Sequence, residues 1–142
     1  MRTIEAIERS LDMVPPVQTR LDAARWLLGL AEEVLEAWIA ARGGVPADEE
    51  RESFRLLALH HQGAAGVPSF NACRETCREI AYHYNLLTLE APEDTAKRLA
   101  MMGMLVRHLA LFVGGKLQVE GLGDFCCASR PLRQDEPTIA RG

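Results

Sequence analysis

The chain has no surplus of positive charge, no unbroken apolar run, no alternating strand pattern and no glycine-rich phosphate loop. Each absence removes a class of function. Sixteen Lys and Arg stand against twenty Asp and Glu, a net charge of -4 at pH 7. A nucleic-acid binder needs a basic face to displace phosphate counterions, so nucleic acid is not an expected partner. No segment reaches the roughly 18 to 20 uninterrupted apolar residues of a membrane span, so no membrane is expected either. The segment Met1-Arg2-Thr3-Ile4-Glu5-Ala6-Ile7-Glu8 is amphipathic and acidic and lacks the apolar core of a secretory signal. The cytoplasm is therefore the expected compartment. There the four cysteines are expected as thiols, metal ligands or transient redox partners, not as a disulfide framework. Without a strand leading into a glycine-rich loop, a nucleotide fold is not expected.

What is present is helical periodicity. The spacing predicts a short helix near residues 3–13, ended by Pro15-Pro16. A second helix follows to about Arg42, with a wide apolar stripe through Leu27, Leu30, Val34, Trp38 and Ile39 and a wet side at Glu32, Glu33 and Glu36. Gly43-Gly44 stops it. Pro46 and the acids behind it open a third helix running to His60-His61, with those acids in the first turn where the dipole favours them. Gln62 to Pro68 reads as a loop, and Ser69 as the N-cap of a fourth helix to about Leu89. A fifth runs from about Thr95 to Gly114-Gly115. Leu117-Gln118-Val119-Glu120 is read as a short strand or frayed helix. The expected fold is all-α: an up-down bundle of four main helices plus a short N-terminal one, over residues 1–120, with 121–142 as a docked or disordered tail.

Ligand-type residues gather in one place, the fourth helix. Cys73 and Cys77 lie one turn apart on one face, where two thiolates suit a soft metal ion such as zinc or copper. His83 follows Glu79 by one turn. With His108 on the fifth helix and Cys126 and Cys127 in the tail, these make a candidate metal or redox set of Cys73, Cys77, His83, His108, Cys126 and Cys127. The competing reading is packing. Phe70, Cys73, Cys77, Ile80, Tyr84 and Leu87 alternate three and four residues apart, as a buried stripe does, and cysteine packs as a small apolar group. Zinc sites usually carry two close ligand pairs at loop-friendly intervals, a pattern missing here. The ligand set of a carboxylate-bridged di-iron bundle is missing too.

His60-His61 are expected at a helix end, where partial positive charge complements the dipole. His108 has apolar neighbours at Met104, Leu105, Leu111 and Phe112 and is expected at least half buried. Trp38, Tyr84, Met104 and His108 are candidates to line a ligand cavity between the second, fourth and fifth helices. The methionines Met101, Met102 and Met104 cover more than one face of the fifth helix, an excess that favours burial on several sides, as in a dimer. Three functions follow, in this order. The first is a non-enzymatic interaction or accessory protein that forms a homo-oligomer or binds a protein partner. The second is a thiol-based metal or redox module. The third is a small-ligand binder or enzyme with an interhelical cavity. No catalytic residue is assigned.

Overall fold

A computed structural model describes residues 2–12, 19–89 and 94–122. The described chain is all-α. Its helices are α1 (Ile4–Asp12), α2 (Arg20–Ala41), α3 (Arg55–Ala64), α4 (Arg74–Leu89) and α5 (Thr95–Val119), with a 3₁₀ segment (Pro68–Cys73) leading into α4. No strand occurs among the described residues.

The starts and stops follow local chemistry. Thr19 caps α2, its hydroxyl accepting from the Asp22 amide at 3.0 Å. The helix ends at a left-handed Gly43, φ 87°. The third helix begins later than its acids suggest, at Arg55 rather than at Pro46. Side chains take the backbone groups a helix would have used there. Gln62 accepts from the Ala47 amide at 2.8 Å and donates to the Val45 carbonyl at 2.8 Å. Arg55 donates to the Ala47 carbonyl at 3.0 Å. Arg51 and Phe54 then close a turn with reciprocal amide–carbonyl bonds of 3.0 and 2.9 Å, and its two central residues, Glu52 and Ser53, are left-handed, φ 54° and 72°.

Two further boundaries differ from expectation. Ser69 lies inside the 3₁₀ segment, which opens on Pro68, and its hydroxyl accepts from Lys116 at 2.5 Å. Gly114-Gly115 does not end α5, which runs on to Val119 and stops at a left-handed Gly121, φ 72°. Gly114 is a packing residue: a Cβ there would stand 3.3 Å from Ile4 Cγ2 on α1. The expected strand or frayed helix at 117–120 is thus mostly regular helix. In the expected tail only Gly121 and Leu122 fall within the described residues.

The core lies where α2, α4 and α5 meet, with α3 on α2 and α4, and α1 on α2 and α5. Trp38 and Phe70 stack at its centre, ring centroids 4.6 Å apart. The Trp38 indole N–H donates to the Gly63 carbonyl at 2.9 Å. Gly63 has to be glycine for this contact, because a Cβ would sit 2.9 Å from Trp38 Cδ1. The expected wet side of α2 is half-buried by arginines. Arg2 forks onto Glu33 at 2.8 and 2.7 Å, and Arg55 bonds Glu36 and lies 3.6 Å from Glu32. By length and composition α5 is apolar enough to cross a membrane. It packs against three helices, however, and carries Arg107, paired with Asp12 of α1 at 2.6 Å, near its middle. The core helix of a bundle can share this composition, but only 28% of the apolar window of α5 is buried.

Candidate functional site

The outward side of α5 is the first feature that packing leaves unexplained. Met102, Val106, Leu109, Ala110, Val113 and Leu117 point into the bundle and are buried. Met101, Met104, His108, Leu111, Gly115 and Val119 are exposed. Their steps are three, four, three, four and four residues, the repeat of a helix–helix seam. Met104 is 70% exposed and Leu111 59%, although both are large apolar groups. None of the six carries a formal charge with His neutral. At 1.5 Å per residue the seam is about 27 Å long.

Beside this seam Thr76, Glu79 and His83 of α4 join Met101, Met104 and His108 of α5 around an open pocket of about 420 Å³. Met104 and His108 border this open pocket of α4 and α5, and Trp38 and Tyr84 do not; the cavity expected from sequence is one between the second, fourth and fifth helices. Trp38 is sealed in the core. Tyr84 is half-buried with its ring edge-on to Phe54 at 5.7 Å. The expected burial of His108 also fails, since it sits on the exposed seam. Its apolar neighbours Met104 and Leu111 are exposed with it, so their character reports the seam and not the core. An apolar pocket of about 400 Å³ lies between α1, α2 and α5, among Leu11, Trp26, Leu27, Leu99 and Met104.

The thiols form a second feature. Cys73 and Cys77 are both free and both buried, on the stripe with Phe70, Ile80 and Leu87. The Cys73 thiol donates to the Phe70 carbonyl at 3.3 Å. His60 Nε2 lies 3.1 Å from the same oxygen, and the imidazole stacks on Phe70 with centroids 5.4 Å apart. A hydrogen bond from Cys77, helped by His60, brings the Cys73 thiol down to about 6 against the opposing effect of burial. Cys77 is pushed well above its ordinary value, first by that same pairing and then by burial.

No metal centre assembles from these groups. Among the described residues no three or more His, Cys, Asp or Glu side chains gather closely enough to hold an ion. His83 is committed elsewhere: its Nδ1 lies 3.2 Å from Arg98 Nη1, so the ring accepts from a guanidinium there. Burial and then Arg98 lower its pKa. Glu79, one turn before it, acts on the ring in the opposite, raising direction. His108 is exposed on the seam, whereas both thiols are buried. Cys126 and Cys127 lie outside the described residues.

The third feature had no sequence signal beyond scattered arginines. Arg51, Arg74 and Arg78 surround a pocket of about 450 Å³ with His60, His61 and Asn71. Arg78 donates to Glu52 at 3.0 Å, and this bond is the main reason the exposed Glu52 carboxyl titrates below its usual range. These residues come from the 51–54 turn, from α3, from the 3₁₀ segment and from the start of α4, so only the fold brings them together. No protein-family model, curated protein or solved structure matches the chain. The geometry alone bears on function.

Proposed function

We propose that the chain is a non-enzymatic interaction protein, with α2 to α5 arranged as an up-down bundle, that self-associates through the outward face of α5. One observation carries this reading: the exposed seam from Met101 to Val119 repeats every three to four residues and holds no formal charge. Exposed apolar area of this kind is costly in water and gains about 25 cal/mol per Å² when covered.

The preferred occupant is a second copy, because the seam complements itself. A twofold axis uses the same patch on both subunits. Antiparallel pairing about His108 places Met101 opposite Gly115 and Met104 within one residue of Leu111. The two flexible methionines then meet a bare backbone and a branched side chain, and the space outside Gly115 is open to receive one. A charged partner would find no countercharge on the seam.

The test is mass and register together. Native mass spectrometry and sedimentation velocity should give a dimer, and Leu111→Glu should give a monomer of unchanged helicity. In a background with Cys126 and Cys127 replaced by Ser, mixing Met101→Cys with Gly115→Cys protein should yield a disulfide-linked heterodimer in preference to either homodimer. A strict monomer at high micromolar concentration sinks the proposal. Preferred Met101–Met101 cross-linking would reverse the orientation and leave only the face.

A further inference from the structure

The pocket around Arg51, Arg74 and Arg78 is independent of the α5 seam. Its α4 residues, Arg74 and Arg78, fall about half a helical turn around from Thr76 and His83, which border the seam pocket.

The chain as a whole is acidic, yet this pocket gathers three guanidinium groups against two carboxylates, Glu52 and Glu75. Arg78 is engaged by Glu52. Arg51 and Arg74 form no ion pair among the described residues, in a chain where acids outnumber bases. Asn71 adds an amide, and the buried His60 forms part of the wall beside the exposed His61.

The backbone that presents Arg51 is strained. Two successive non-glycine residues with positive φ are strained and persist only where surroundings hold them. Here they are held by the reciprocal Arg51–Phe54 hydrogen bonds and by burial of Phe54 against Tyr84. The turn presents Arg51 at the pocket and holds Glu52 on Arg78, one helical turn from Arg74 on α4, and the Glu52 carboxylate also feels the charges of Arg51 and Arg74. Such strain at a pocket edge is characteristic of ligand clamps. The volume, about 450 Å³, is within the range of small-molecule sites.

We propose that this pocket binds a small organic oxyanion, a phosphate ester or a carboxylate, held between Arg51 and Arg74. A guanidinium fork matches either group with two parallel hydrogen bonds. The ligand would take the two unpaired arginines and leave the Arg78–Glu52 pair intact.

The experiment is calorimetric titration of the full chain with inorganic phosphate and, separately, with citrate, each at ionic strength matched with sodium chloride. Saturable binding of at least one is expected, together with a rise in melting temperature of about 9 °C at ligand concentrations about 100-fold above Kd. Tighter binding of phosphate assigns a phosphoryl ligand, and tighter binding of citrate a carboxylate. The double variant Arg51→Ala/Arg74→Ala should weaken binding at least tenfold. Arg9→Ala/Arg25→Ala, which removes the same charge outside the pocket, should leave it unchanged. Circular dichroism confirms that both variants fold. No saturable binding of either anion up to tens of millimolar overturns the proposal. So does binding that the pocket variant retains, or that both variants lose equally.

Discussion

Cys73 and Cys77 share a buried apolar site with one imidazole beside them, and only one of the two is poised to ionise. The direction of each shift fixes how stability depends on pH. Cys73 has a folded pKa of about 6, below the ordinary thiol value of about 8.5. Its contribution is therefore fully present above the ordinary value and is lost as pH falls through about 6. Cys77 is raised, so its contribution is present below the ordinary value and is lost at higher pH. With Cys126 and Cys127 replaced by Ser, the urea midpoint should rise from pH 6 to about 8, with a slope of at most about 1.4 kcal/mol per pH unit, and turn down in more alkaline buffer. Thiolate absorbance at 240 nm should titrate near pH 6. Cys77→Ala removes the donor, so the absorbance should then appear only at higher pH and the slope should flatten. A parent protein with no thiolate below pH 8 would leave both cysteines as packing groups. The packing stripe itself was legible in the sequence, because Phe70, Cys73, Cys77, Ile80 and Leu87 repeat at helical spacing and are buried together. His60 was not. What buries it is Phe70, ten residues away across a loop, and no periodicity reports that.

At the scale of elements, a helix signal can be overruled by side chains from elsewhere. Pro46 followed by acids is a sound helix start, and α3 nonetheless begins at Arg55. Gln62 and Arg55 supply the hydrogen bonds that would have come from a helix. They are 15 and 8 residues from Ala47, beyond local reading. The error at Gly114 has the opposite cause: a strong stop signal was a close approach to Ile4. The 51–54 turn allows a direct test. Ser53 sits at φ 72°, where a glycine pays no Cβ penalty and a β-branched residue is an outlier. Ser53→Gly should be neutral or stabilising by up to about 1 kcal/mol, because relief of strain outweighs the added freedom of the unfolded chain. Ser53→Val should cost about 1–2 kcal/mol and loosen the Glu52–Arg78 bond. Urea midpoints of the two variants decide it. Equal stability of Gly and Val at this position would mean that the turn is not held in this geometry.

For the molecule as a whole, composition and periodicity made the all-α class legible, and the excess of apolar positions on the fifth helix pointed to burial on several sides. They could not say which side faces out. Apolar residues surround α5, so the pattern alone cannot separate the core face at Met102, Val106 and Leu109 from the exposed seam at Met101, Met104 and Leu111. Only the packing of α1, α2 and α4 on the other side does that. If two seams close on each other, folding and association are linked, and dilution should destabilise the protein by mass action. Melting enthalpy near 0.7 kcal/mol per residue makes the expected rise in melting temperature about 2–3 °C for each tenfold increase in protein concentration. Leu111→Glu should abolish that dependence while leaving the monomer folded, because Leu111 touches water and not the core. Wild-type and variant chains that both melt at a temperature independent of concentration would show the seam to be solvent-facing in the native state, and its apolar face would then need an occupant other than a second copy.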